Sequence, residues 1–254
     1  MLTAIVREVS PAIARCELTF VERRAIDYAK AVEQHAQYCA LLGQLGARVV
    51  SLPAEPDLPD SMFVEDAATV LDEIAVILPM GAESRRGEAA SLAAALAQFR
   101  DIEYIRLPGT VEGGDVLRVG RKLFIGMTRR TNEEGIRQLR AIVTPCGYEV
   151  VAVRVSGCLH LKSAVTWIGG NTLLANRAWF DTAPFTGFEW VDVDEREPHA
   201  ANALAIGGSV IFPTSFPRTR ALVEAREIRV APLDISELQK AEAGLTCSTL
   251  LFEA

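Results

Sequence analysis

The chain has 254 residues, half of them hydrophobic and 23% charged, with 26 Lys and Arg against 33 Asp and Glu for a net charge of −7. This composition excludes a disordered or collagen-like chain and supplies enough apolar side chain for a sizeable core. The acidic balance argues against a general nucleic-acid binder, and no apolar run is long enough to span a membrane. Charge arrives at Arg7 and Glu8 before a signal-peptide core can form, so a soluble cytoplasmic protein is expected. Five scattered cysteines make neither a disulfide framework nor a CxxC metal site, and three histidines without an HExxH pair do not suggest zinc. Neither a P-loop nor a GxGxxG loop is present, so nucleotide binding has no support.

In chain order, Thr3–Val6 reads as a strand. A helix at 27–45 follows, with Ala31, Val32, Tyr38, Leu42 and Leu45 as its buried stripe, and then the strand Ala47–Leu52. Ala68–Leu71 and Ile74–Leu78 form a hairpin about Asp72-Glu73, ahead of a helix at 84–99 and the strand Ile102–Leu107. A second hairpin, Val116–Val119 and Lys122–Ile125, precedes a helix at 132–144 and the strand Tyr148–Val153. The third pairs Ala164–Ile168 with Asn171–Ala175 across Gly169-Gly170, and 177–187 offers at best a short helix before Glu189–Val193. The fourth pairs Ala203–Ile206 with Ser209–Phe212 across Gly207-Gly208, before a helix at 216–226 and the strand Ile228–Ala231. Ser248–Phe252 is the last strand.

Each unit is thus ββαβ, and pairing the last strand with the first completes a fifth. The residues heading the units are Glu65, Glu112, His160, Asn202 and Cys247, at separations of 47, 48, 42 and 45. This regularity predicts an α/β fold of five blades with pseudo-five-fold symmetry, closed by its terminal strands, in one domain over 1–254.

Equivalent strand ends meet near the axis of such a ring, bringing together a cysteine, a histidine and carboxylates. That is what a thiol-dependent hydrolase needs: a nucleophile, a proton carrier and a group to orient the carrier. Cys247 is the candidate nucleophile, His160 the general acid and base, and Glu112, in Val111-Glu112-Gly113-Gly114-Asp115, the imidazole's partner. Glu65 and Asp66 can grip a planar cation such as guanidinium, and Asp60 lies just upstream. Arg85-Arg86 and Arg129-Arg130 are candidates for a substrate carboxylate. Cys16, Cys39, Cys146 and Cys158 read as buried hydrophobes, His35 as structural and His199 as a loop residue.

The ordered segments DSMFVED, GAESRRGE, GTVEGGD, RTNEEG, LHLKS, FPRTR and GLTCS resemble the dimethylarginine dimethylaminohydrolase family of the guanidino-group-modifying (pentein) superfamily, from about Leu18 to the C-terminus. The resemblance implies a five-bladed α/β propeller that hydrolyses N-ω-methylated arginine to citrulline and methylamine or dimethylamine, through a covalent cysteine thiouronium and without metal or organic cofactor. It implies that Cys247 attacks, His160 protonates the amine and activates water, and Glu112 fixes the imidazole. It further implies that Asp66 with Glu65 binds the guanidinium, that Asp60 and the Leu18 carbonyl hold the α-amino group, and that Arg85 and Arg130 hold the α-carboxylate. The loop around Leu18 then serves as a lid. Related deiminases and amidinotransferases carry Asp two residues after the histidine. Here Lys162 stands there, which leaves room for methyl groups and disfavours plain arginine. The competing readings are an arginine deiminase-like enzyme and a non-catalytic propeller that only binds. A papain-like protease is disfavoured because His160 precedes Cys247. The partner expected is a small molecule, with outer helices or a blade edge offering a surface for a homodimer.

Overall fold

The structure is a computed structural model that describes residues 1–254. It begins with β1 (Leu2–Arg7), α1 (Tyr28–Gln44) and β2 (Arg48–Leu52). The first internal unit is β3 (Ala68–Val70), β4 (Ile74–Ile77), α2 (Ala89–Leu96) and β5 (Asp101–Tyr104). The next is β6 (Val116–Val119), β7 (Lys122–Met127), α3 (Glu133–Val143) and β8 (Glu149–Arg154). The one-turn helix α4 (Leu161–Ala164) introduces β9 (Val165–Trp167), β10 (Thr172–Ala175) and β11 (Glu189–Asp192). Then come β12 (Leu204–Ile206), β13 (Ser209–Pro213), α5 (Pro217–Glu224), β14 (Val230–Leu233), the short α6 (Ser236–Gln239) and β15 (Leu250–Glu253).

Five three-stranded sheets result. In each, an antiparallel pair is extended by a parallel third strand, as in β3–β4–β5, where Ala68 faces Ile77 and Ile74 faces Asp101. The first and last strands belong to one such sheet: Leu2 faces Glu253 across β1 and β15, while Thr3 faces Arg48 across β1 and β2.

Local chemistry explains most boundaries. Asp27 caps α1 by accepting the Lys30 N–H at 3.1 Å, and Asn132 caps α3 by accepting the Gly135 N–H at 2.8 Å. Pro217 opens α5 where a missing N–H costs nothing. Gly207 and Gly208 both adopt positive φ, 56° and 71°, as a two-residue hairpin turn requires. A Cβ on Gly207 would also lie 2.2 Å from the Leu45 carbonyl oxygen.

Several expectations are corrected. In α1 the buried face is Ala31, Gln34, His35, Tyr38 and Leu42, while Val32 is exposed, because the stripe follows the 3, 4 and 7 spacing from Ala31. The segment 83–88 is a 3-10 helix ahead of α2. Within 177–187 only Arg177–Trp179 turns helically, the short helix the sequence allowed, and Phe185 fills that flank by stacking on Phe124 with ring centroids 4.1 Å apart. β14 starts two residues late, because the turn that follows α5 runs on to Glu227, whose φ of 59° closes it.

The apolar core is divided among the seams between sheets. Leu71 and Val76 of the β3–β4 unit share a cluster with Val116 and Leu123, and Leu117 and Phe124 share one with Val165 and Leu173. Ile168 and Leu174 pack with Val210 and Phe212, Ile211 and Leu233 with Ala4 and Val6, and Ile5 and Leu250 with Ala68 and Ile77. No helix is long and apolar enough to cross a membrane.

Candidate active site

The reactive residues were expected at strand starts. They sit instead on or beside single helical turns that precede the strands. Glu65 and Asp66 lie within Val64–Ala67, Glu112 precedes Gly113–Asp115, His160 precedes α4, and Cys247 lies within Thr246–Ser248. These turns pack so tightly that two glycines are obligatory. A Cβ on Gly113 would lie 1.8 Å from the Glu65 carbonyl oxygen, and one on Gly114 would lie 2.4 Å from His160 Nδ1.

A small cavity of about 20 Å³ is lined by Asp60, Asp66, Arg85, Arg130, His160 and Cys247. Glu112 sits behind it, 0% exposed. His160 Nε2 donates to Glu112 Oε2 at 2.7 Å. Glu112 Oε1 accepts from Arg130 Nη1 at 3.2 Å and from the Ala82 N–H at 3.3 Å. Asp66 Oδ1 accepts the Gly114 N–H at 3.1 Å and lies 4.0 Å from His160 Nδ1.

Electrostatics set the protonation states. Burial alone would lower the imidazole, but Asp66, the Glu112 hydrogen bond and Asp115 outweigh it and raise His160 to about 9. Burial likewise opposes ionisation of Glu112. The His160 hydrogen bond and charge, with Arg85 and Arg130, override it and hold this carboxyl well below the usual range. At Cys247, burial first and then the charges of Glu65 and Asp66 push the thiol up to about 12. The resting site therefore pairs a neutral thiol with an imidazolium.

Three expected site residues make contacts other than those anticipated. Glu65 does not face the cavity with Asp66. Its carboxylate is ion-paired with Lys162, accepts the Thr246 hydroxyl at 2.7 Å, and lines a separate cavity of about 360 Å³ among the first strands. Arg85 lines the small cavity and also pairs with carboxylates of the chain: Nη1 donates to Asp66 at 2.8 Å, and Nε and Nη2 donate to Glu88 at 3.0 and 2.9 Å. At Asp60 the bonded neighbour is the Glu17 N–H, at 3.1 and 3.3 Å, while Leu18 packs with Cys247 against one apolar cluster. Of the two adjacent arginines, Arg130 is buried at the cavity and Arg129 is exposed.

Ligand atoms of Asp66, Glu112 and His160 lie within 4.8 Å of one another, the spacing of a metal site. Arg85 pairs with Asp66, Arg130 pairs with Glu112, and Glu112 also engages the imidazole.

Sequence reasoning missed several residues that hold the site. The Asn202 amide donates to the Lys162 carbonyl and the Thr246 hydroxyl, both at 3.0 Å, and its oxygen accepts the Thr246 N–H at 3.0 Å. Asp115 accepts the Leu161 N–H at 2.9 Å and the Thr128 and Thr131 hydroxyls at 2.7 Å, which fixes the backbone next to His160. Asn202 already headed a unit, and Asp115 closes the GGD turn, so their positions were available as signals.

A family model for "N,N dimethylarginine dimethylhydrolase, eukaryotic" matches residues 16–176. The N(G),N(G)-dimethylarginine dimethylaminohydrolase of Pseudomonas aeruginosa is 38% identical over 228 residues, 89% of this chain and 90% of the relative. That of Streptomyces coelicolor is 38% identical over 246 residues, covering 96% and 94%. The solved structure of a cysteine-to-serine variant of the Pseudomonas enzyme, complexed with citrulline, superposes with a TM-score of 0.94 at 35% identity, over 99% of this chain and 100% of the other. The N-terminal domain of a cyanobacterial arginine dihydrolase shares the fold at TM-score 0.85 and 19% identity. With the relatives matching nearly end to end, the chain belongs to the dimethylarginine dimethylaminohydrolase family.

Proposed function

We propose that this protein hydrolyses N-ω-methylated L-arginine to L-citrulline and methylamine or dimethylamine, with Cys247 as covalent nucleophile. The observation that carries the reading is the small cavity where Cys247 meets an imidazolium held by Glu112, with Asp66 and Asp60 to receive cations and Arg130 and Arg85 to receive a carboxylate. The substrate is cationic at its guanidinium and α-amino ends and anionic at its carboxylate.

The guanidinium enters beside Asp66 and places a positive charge near the Cys247 sulfur. That charge offsets the carboxylates that hold the thiol up, so the thiol proton leaves to solvent and the sulfur bonds to the guanidinium carbon. The tetrahedral adduct collapses by breaking the bond from carbon to the methylated nitrogen, and His160 gives its proton to the departing amine. This leaves a thiouronium cation on Cys247. Neutral His160 then takes a proton from water as the oxygen bonds to the same carbon. Cleavage of the carbon–sulfur bond releases citrulline and restores the thiol. Glu112 favours the imidazolium whenever it forms. Asp60, with the loop at Leu18, holds the α-amino group, and Arg130 and Arg85 hold the α-carboxylate. Glu65 is left to brace Thr246, next to the nucleophile.

The same reading makes the chain one domain, a closed ring of five blades. The β1–β15 pairing and the apolar clusters at five seams support it. Its place is the cytoplasm, in keeping with five cysteines that are all free thiols.

The deciding experiment is a citrulline assay on asymmetric dimethylarginine, monomethylarginine and arginine. Release from the methylated substrates is expected, with loss in Cys247→Ser. Full activity of that variant would sink the reading.

A further inference from the structure

A cavity of about 20 Å³ holds little more than a water molecule, whereas small-molecule sites start near 300 Å³. The site is shut. Next to it lies a second cavity of about 270 Å³ whose wall includes Phe20, Val21 and His199. Leu159, Glu242 and Ala243 border both cavities and so form the partition between them.

Glu242 also grips the loop that carries Phe20. Its Oε2 accepts the Thr19 N–H at 2.7 Å and its Oε1 accepts the Phe20 N–H at 3.0 Å. The same loop is tied inward by the Glu17 N–H at Asp60 and by Arg130 Nη2 at the Thr19 hydroxyl, 3.1 Å away. Glu242 adopts φ 59°, a left-handed conformation unfavourable for a residue with a side chain, on the segment that reaches Cys247 five residues later. A strained residue spending its whole carboxylate on two consecutive backbone N–H groups points to a role beyond packing.

We infer that Glu242 is a positioning residue that latches the 17–23 loop over the site. Substrate enters when the two bonds open and the small cavity merges with its neighbour, and re-latching closes the loop over bound substrate. The inference rests on the reading of this cavity as the methylarginine site, and deepens it by assigning the entry step.

The test is Glu242→Gly, since glycine accepts φ 59° without strain and removes the latch without endangering the fold. Two quantities are read: the rate of tryptic cleavage after the exposed Arg23 and Arg24, mapped by peptide mass, and the steady-state constants for asymmetric dimethylarginine. Cleavage should accelerate about tenfold and KM rise about tenfold, with kcat within about threefold of wild type, the size expected for losing charge-assisted bonds. Glu242→Gln, which retains the side-chain bulk but turns an acceptor into a donor, should shift both in the same direction. Wild-type cleavage rates in both variants overturn the latch. If wild-type protein releases no citrulline, the functional reading fails, while the cleavage ratio still decides whether Glu242 holds the loop.

Discussion

His160 donates from Nε2 to Glu112 Oε2 at 2.7 Å, and neither side chain is open to bulk water. A neutral partner at 112 cannot hold the imidazolium as well. Glu112→Gln should therefore lower kcat by roughly 10²- to 10³-fold, the scale of general acid–base catalysis, and move the alkaline limb of the pH profile downward. Citrulline release measured across pH decides it, and an unshifted limb would refute the assignment.

The same pair predicts a pH dependence of stability. His160 titrates at about 9 in the fold against 6.5 ordinarily. A raised folded-state value means the stabilisation is complete below 6.5 and disappears as pH rises through 9, on the order of 3 kcal/mol. Glu112 is depressed, so its contribution is present above 4.5 and is lost as pH falls below that. Thermal midpoints should drop between pH 6.5 and 9 in the wild type and stay flatter there in His160→Asn. Activity should also fall above about 9, as the acid that protonates the amine is lost.

Because the Cys247 thiol is held up to about 12, free enzyme should react slowly with iodoacetamide at neutral pH. A small guanidinium compound in the cavity should accelerate that alkylation by lowering the thiol pKa. Rapid alkylation of the free protein, with Cys247 identified by peptide mass, would show a pre-formed thiolate instead.

Gly114 allows the Gly113–Asp115 turn to touch the imidazole. Gly114→Ala would place a methyl 2.4 Å from His160 Nδ1, so the ring or the turn must move. A stability loss of about 1–3 kcal/mol and a fall in kcat of at least about tenfold are expected. Gly43→Ala, with open space around it, is the control whose activity should be unchanged.

Much of this arrangement was legible because the hairpins carry their own punctuation. Gly207-Gly208 and Gly169-Gly170 mark turns that only positive φ allows, and the even spacing of the unit heads predicted that distant residues converge. The one-turn helices ahead of the strands left no trace, since four residues are too few to show a period. Nothing local announced that Glu65 answers to Lys162, 97 positions away, or that Glu242 holds Thr19, 223 positions away. Such pairings come from the packing of one unit on another. Arg85 was read as a partner for a substrate carboxylate; its buried pairing with Glu88, three residues on, appears only in the fold.

The division of the apolar core among the seams bears on how the molecule comes apart. Phe124 packs with Leu173 of the following sheet, and Phe212 with Leu174 of the preceding one, so no sheet owns a core that could survive alone. Each sheet shields its neighbours' apolar side chains from solvent. Denaturation should proceed as one cooperative event rather than sheet by sheet. A fault at the Phe124–Phe185 stack, which joins the unit of Glu112 to that of His160, would therefore loosen both units and the catalytic residues that head them together.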